Sequence, residues 1–171
     1  MGGVDKGLQL LRGKPMVEWV LARLAPQVSE IIVNANQNLD AYRGFGHRVV
    51  SDEIVGFAGP LAGLHAGLRA AGEPLVVTVP CDSPFLPGDL VARLRASLEN
   101  HDLAVAKTGD QAHPVFALMK RDLRANLETF LSAGGRKIDA WYAALGVVEV
   151  SFDDESEAFR NINTLDELGR A

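Results

Sequence analysis

The sequence predicts a single α/β domain over residues 1–171, with a mostly parallel sheet covered by helices on both faces. Three observations lead there. Short apolar segments rich in β-branched residues alternate with segments of helical spacing, the pattern of repeated βα units. The most apolar segment, Leu75-Val76-Val77-Thr78-Val79, has no polar face, as a strand in the middle of a parallel sheet requires. No repeat, low-complexity tract or long linker divides the chain, and 171 residues suffice to bury one core.

The elements follow in order. Pro15 to Val28 carries Met16, Val17, Val20, Leu21 and Leu24 at helical spacing, with proline in the first turn. Ile31-Ile32-Val33 and Arg48-Val49-Val50-Ser51 read as short strands. Pro60 to Ala71 is expected to be a helix leading into the Leu75–Val79 strand. A helix over Gly88 to Leu98 follows, with Asp89 as its cap. Leu103 to Ala106 and Val115 to Met119 are expected strands. Helices near Asp122–Leu131 and Lys137–Leu145, a strand over Val147–Val150 and a short helix at Leu165 to Leu168 complete the set.

Composition narrows the function. Acidic residues outnumber basic ones by 22 to 17 and no basic stripe runs along any segment, so a nucleic-acid partner is not expected. The single cysteine, Cys81, forms no disulfide framework within the chain. No stretch has the length of a membrane span, and the first six residues lack the apolar centre of a signal peptide. The expected location is the cytoplasm, with no membrane partner.

In open α/β sheets the ligand lies beyond the carboxyl ends of the strands. Three strands here run directly into polar residues: Val33 into Asn34-Ala35-Asn36, Ser51 into Asp52, and Val79 into Pro80-Cys81-Asp82-Ser83-Pro84. Each alone could be a turn or a helix cap. Together they point to one crevice. Asp82, stiffened by prolines on both sides, suits a hard cation such as Mg2+, which takes one or two protein carboxylates and fills its shell with water and phosphate.

The opening Met1-Gly2-Gly3-Val4-Asp5-Lys6-Gly7 can turn backbone N–H groups and the Lys6 ammonium toward a phosphate, although it lacks the spacing of a Walker A loop. Gly59, Gly63 and Gly67 make a smooth stripe on the Pro60–Ala71 helix. Close approach to a ligand is expected where that helix begins, and tight helix–sheet packing at its other end. His47, His65 and His101 read as surface or helix residues. His113-Pro114 reads as a structural turn or, less simply, a wall of an acceptor pocket. Asp153-Asp154-Glu155 reads as a solvated acidic loop.

Taken together, several segments resemble the molybdenum cofactor guanylyltransferase family over essentially the whole chain. They are residues 1–6, Gly13-Lys14-Pro15, Val33-Asn34-Ala35-Asn36, Ser51-Asp52, Gly59-Pro60-Leu61-Ala62-Gly63, Pro80-Cys81-Asp82-Ser83-Pro84, His113-Pro114 and Asn161-Ile162-Asn163-Thr164. The resemblance implies a Rossmann-like nucleotidyltransferase fold, a three-layer sandwich. It also implies transfer of GMP from GTP to molybdopterin, with Mg2+ required, giving a guanine dinucleotide cofactor and pyrophosphate. Position by position, Lys6, Asn34, Asp52 and Asp82 match the family's GTP contacts, and Asp82 its magnesium ligand. Lys6 and Asp82 are the expected catalytic pair. Asn161 and Asn163 match a late motif near the acceptor. Arg136-Lys137 falls on a basic pair suited to a pterin phosphate, a helix-end surface charge being the competing reading. Other proteins of molybdenum cofactor biosynthesis and recipient molybdoenzymes are the implied further partners.

The family pattern starts with an apolar strand and a Leu-Ala-Gly-Gly loop, whereas this chain starts inside that motif. The first strand is therefore expected to be missing, through a start that lies upstream or a shortened product. Loss of a central strand would leave neighbouring edges unpaired. Two other functions fit the same residues: a CTP-dependent cytidylyltransferase, or a cofactor-binding protein that does not transfer a nucleotide.

Overall fold

The structure is a computed structural model that describes residues 5–54 and 59–160. A 3₁₀ turn at Lys6–Leu8 leads into a small hairpin, β1 (Leu10–Leu11) and β2 (Lys14–Pro15). Its two turn residues, Arg12 and Gly13, have φ of 51° and 79°, the paired positive values of a tight hairpin. Helix α1 (Met16–Leu24) stops four residues before the expected end at Val28. Pro26 has no N–H to continue the ladder, and a 3₁₀ turn at Ala25–Gln27 takes its place. Then come β3 (Ile32–Asn34), α2 (Leu39–Arg43), β4 (Arg48–Val50), α3 (Pro60–Ala70) and β5 (Leu75–Thr78). The second half holds α4 (Leu90–Leu98), β6 (Leu103–Thr108), β7 (Gln111–Lys120), α5 (Leu123–Ser132), α6 (Ile138–Tyr142), β8 (Val147–Ser151) and a 3₁₀ segment at Asp153–Phe159. The helix expected at Leu165 to Leu168, and Asn161 and Asn163, lie outside the described residues.

Strands β3 and β4 pair in parallel, with Asn34 opposite Val50. The larger sheet has the order β5-β7-β6-β8, in which β6 and β8 are parallel and β7 is antiparallel to both its neighbours. The expected strands at 103–106 and 115–119 extend toward each other and meet as a hairpin, turning at Gly109 with φ of 54°. His113 therefore lies within β7 rather than in a turn. It stacks on Phe159 with ring centroids 4.8 Å apart, and its Nε2 shares a 2.7 Å hydrogen bond with Thr108.

Strand β5 corrects one expectation. Its described partner is β7, which is antiparallel, and it lies at one end of the four-stranded order rather than in the middle of a parallel sheet. An apolar run reports that both faces are covered, not which way the neighbour runs. Both faces are indeed covered: Leu75 and Val77 pack with the α4 core and Val76 with the α3–α5 core.

The same period-two logic divides β6. Ala104 and Ala106 face Leu90, Leu94 and Leu98 of α4, while Leu103 and Val105 face Leu61, Leu64 and Leu68 of α3 and Leu123, Leu127 and Leu131 of α5. These leucines recur every three or four residues, and each one buried contributes about 1.5–3 kcal/mol relative to exposure. The result is three layers, helix–sheet–helix. A third cluster joins Val17 of α1, Val33 and Ala35 at β3, and Tyr42 of α2.

Two polar assignments also change. Asp89 sits at the N-cap position of α4, but its carboxylate makes no capping hydrogen bond and lies 3.9 Å from Arg93. The Val91 N–H is taken instead by Oε1 of Gln27, at 3.0 Å, from the 3₁₀ turn after α1. Asp153-Asp154-Glu155 begins the last 3₁₀ segment and is not merely solvated. Asp153 accepts from the Gly109 N–H at 2.6 Å, and Asp154 pairs with Arg93 at 2.9 Å.

Candidate functional site

The parallel pairing of β3 and β4 brings their carboxyl ends side by side. The Ala35 N–H donates to the Val50 carbonyl at 2.9 Å and the Ser51 hydroxyl donates to the Ala35 carbonyl at 2.7 Å, so the two exits are locked together. Asn34 and Asp52 then meet: the Asn34 Nδ2 donates to Asp52 Oδ1 at 3.0 Å. Asn36, two residues further, donates from Nδ2 to Asp52 Oδ2 at 2.8 Å and accepts the Asp52 N–H on Oδ1 at 2.9 Å. Both oxygens of Asp52 are thus oriented by amides, and its backbone is fixed by the same Asn36 side chain. Sequence reasoning selected Asn34 and Asp52 but not Asn36, whose signal was its place two residues after Asn34.

Helix α3 runs directly over this cluster. A Cβ on Gly63 would lie 2.5 Å from Asn34 Oδ1 and 3.6 Å from Asp52 Oδ1. A Cβ on Gly67 would meet nothing within 4 Å. The expected packing role at the Gly67 end of the stripe is therefore not found, and the close approach falls at Gly63, against the polar side chains themselves. Gly59 precedes the helix with φ of 147°, a backbone that side chains rarely adopt.

Beyond β5, Asp82 is largely buried and its Oδ2 lies 3.5 Å from the Lys6 ammonium. The two residues expected to act together are adjacent. The Lys6 turn is held from both sides. Asp5 accepts from the Tyr42 hydroxyl at 2.6 Å and from Asn38 Nδ2 at 3.0 Å. A Cβ on Gly7 would be 2.6 Å from the Tyr42 oxygen and 3.1 Å from the Cys81 sulfur, so only glycine passes there. The loop after β3 serves both halves: Asn36 turns to Asp52, Asn38 to Asp5.

Charge around this turn is dominated by carboxylates. Cys81 is exposed as a residue, but its sulfur turns in against Gly7; desolvation there, then the charges of Asp82 and Asp5, push the thiol up to about 11. Burial and the bond to Asp5 push the Tyr42 hydroxyl well above its ordinary value, so it remains a proton donor at any working pH.

The expected acceptor residues are placed differently. Arg136 donates to the carbonyls of Leu131 at 3.2 Å and Gly135 at 2.6 Å, closing the carboxyl end of α5. Lys137 is exposed at the N-cap position of α6. Topology brings this corner toward the site. Arg121, just before α5, donates its N–H to Pro74 beside the start of β5, so α5 runs back toward β5's carboxyl end. Midway it crosses α3, where Glu128 pairs with His65 at 3.0 Å. Glu128 is held below the usual carboxylate range chiefly by that bond. His65, expected at the surface or on a helix, is a buried helix residue.

The model of the MobA-like NTP transferase domain matches residues 1–147. The chain belongs to the MobA-like NTP transferase family. A molybdenum cofactor guanylyltransferase of Cupriavidus necator is 53% identical over 175 residues, covering 98% of this chain and 87% of that protein. Among solved structures, molybdopterin-guanine dinucleotide biosynthesis protein A from Archaeoglobus fulgidus superposes with a TM-score of 0.79 at 28% identity, covering 98% of this chain and 89% of that one. The 2-C-methyl-D-erythritol 4-phosphate cytidylyltransferase of Thermus thermophilus shares the fold with a TM-score of 0.72 at 18% identity, over 98% of this chain and 92% of its own. The fold is thus that of the nucleotidyltransferases, and MobA-like membership makes this chain a nucleotidyltransferase. Among the described residues, no helix is long and apolar enough to cross a membrane.

Proposed function

We propose that this MobA-like chain transfers GMP from GTP to molybdopterin, with or without molybdenum bound, forming the guanine dinucleotide cofactor and releasing pyrophosphate. The observation that carries this reading is one continuous polar array at the strand ends. It runs from Asp52 through Asn36 and its loop to Asn38, Asp5 and Lys6, and ends at Asp82. The name of the Cupriavidus necator relative supports the choice of substrates.

Asn34 and Asp52 would hold the base and ribose. An ionised carboxylate is acceptor-only, and guanine offers an N1–H and an exocyclic amine side by side. Cytosine presents an acceptor nitrogen on its corresponding edge, which would face the Asp52 carboxylate without a proton between them. Lys6 would hold the triphosphate as a point charge. The acceptor phosphate is already ionised near neutral pH, with a second pKa of about 6, so no general base is required. The protein's work is alignment and charge neutralisation.

Asp82 would hold Mg2+. The donor set fits that ion: one hard carboxylate, and among the described residues no group of three or more His, Cys, Asp or Glu that would make a protein-only cage. When bound, Mg2+ supplies charge neutralisation at phosphate oxygens. The exposed Lys137 would attract the pterin phosphate, while Arg136, tied to the end of α5, shapes the same rim. Asn161 and Asn163 enter this reading through the family motif alone. The expected setting is the cytoplasm.

Thermal unfolding with saturating MgGTP, and separately MgCTP, tests the base assignment. Ligand at a hundred times its dissociation constant adds about 2.7 kcal/mol, which raises the midpoint by roughly 5–10 °C in a domain of this size. The shift is expected with GTP and not with CTP. A larger shift with CTP would overturn the Asp52 argument.

A further inference from the structure

We propose that Tyr42 and Asn38 are positioning residues for Lys6: they grip the Asp5 carboxylate and so set the turn that carries the Lys6 ammonium to Asp82. This rests on the assignment of Lys6 and Asp82 above. The grip is bidentate. Tyr42 takes one oxygen of Asp5 at 2.6 Å and Asn38 the other at 3.0 Å, from a helix about 35 residues away in sequence.

A buried tyrosine can satisfy its hydroxyl on many acceptors, yet this one reaches the residue immediately before Lys6. Its ring is set in the core with Val17, Val33 and Ala35, so the hydroxyl is a rigid reference point. Asn38 adopts a left-handed backbone with φ of 52°, and its own carbonyl accepts the Tyr42 N–H at 3.2 Å, making one unit of the two donors. The residue after Lys6 is fixed as well. Gly7 passes between the Tyr42 oxygen and the Cys81 sulfur with no room for a Cβ. Lys6, half exposed and facing Asp82, is thus carried by a turn pinned on both flanks, and Cys81 adjoins that same Asp82. Loss of the grip would leave the ammonium present but poorly aimed. That is a defect of alignment, which costs rate without removing a reacting group.

Coupling between Tyr42 and Lys6 decides the matter. kcat/KM for GTP is measured for the wild type, Tyr42→Phe, Lys6→Ala and the double variant, with molybdopterin and Mg2+ present. Tyr42→Phe keeps the packed ring and removes one hydrogen bond to a charged group, so kcat/KM should fall about tenfold to a hundredfold. In the Lys6→Ala background the same change should cost less than about twofold, since there is no ammonium left to aim. Equal losses in both backgrounds would overturn the proposal and leave Tyr42 a structural residue. Asn38→Gly, which tolerates the left-handed backbone and removes the amide, should repeat the pattern and decides the question if Tyr42→Phe fails to fold. A Lys6→Ala variant as active as wild type would instead defeat the assignment of Lys6 itself.

Discussion

Asp82→Ala lowers the rate of guanylyl transfer by about a thousandfold or more, while the protein keeps its fold. The size follows from what one side chain supplies at that point. It is the carboxylate facing Lys6, and loss of a single preorganised electrostatic group in a reaction centre costs about 10²–10³ in rate even without a metal. Removing the anchor of a metal that neutralises phosphate charge adds to that loss. The substitution also leaves Lys6 without the carboxylate it faces in the absence of substrate. Single-turnover kinetics at saturating MgGTP measure the effect, with circular dichroism to check the fold. A variant within tenfold of wild type would remove Asp82 from the reaction.

Gly63→Ala and Gly67→Ala should move in opposite directions although they lie one turn apart on α3. Replacing a mid-helix glycine by alanine ordinarily gains about 0.5–1 kcal/mol through helix propensity and a less flexible unfolded chain. At Gly67 the new methyl meets nothing within 4 Å, so that gain should be realised, with a midpoint rise of roughly 1–4 °C and unchanged activity. At Gly63 the methyl would sit 2.5 Å from Asn34 Oδ1, closer than any real contact allows. Either α3 lifts or Asn34 turns away from Asp52. Both outcomes disturb the base-holding pair, and GTP affinity should fall about tenfold or more, the order expected when a hydrogen bond to a charged group is lost. Isothermal titration with GTP reads the difference. Unimpaired binding by Gly63→Ala would show that the Asn34–Asp52 geometry does not matter to the nucleotide.

Much of this arrangement was legible before the fold was known, and the reasons for success and failure are physical. Asn34, Asp52 and Asp82 stood out because each follows an apolar run, at the carboxyl end of a strand where α/β folds place their ligands. Lys6 stood out only through its glycine-rich surroundings and the family resemblance. Its partners did not, because Asp5, Asn38 and Tyr42 are joined by contacts across more than thirty residues that no local pattern records. The cover on both faces of β5 could be read from its uniformly apolar side chains, but the antiparallel direction of β7 could not. Direction depends on connection geometry, which the short 109–110 turn reveals only once both strands are known to extend to it. The N-cap of α4 shows the same limit. Asp89 has the right residue type at the right position, yet Gln27 reaches in from a distant turn and takes the Val91 N–H in the first turn of the helix. Arg136 falls on the family's basic pair, with a helix-end charge as the competing reading, and a share of its donors goes to the carbonyls that end α5, a demand every helix makes locally.

The most direct test of the central claim is transfer itself. The chain is incubated with Mg2+, molybdopterin and GTP labelled at the α-phosphorus, then with CTP labelled in the same way. The label is expected to pass from GTP into a pterin guanine dinucleotide, with one pyrophosphate released per dinucleotide formed, and not to pass from CTP. Label transferred from CTP in preference to GTP, or pterin bound tightly with no pyrophosphate released from either, would contradict the account.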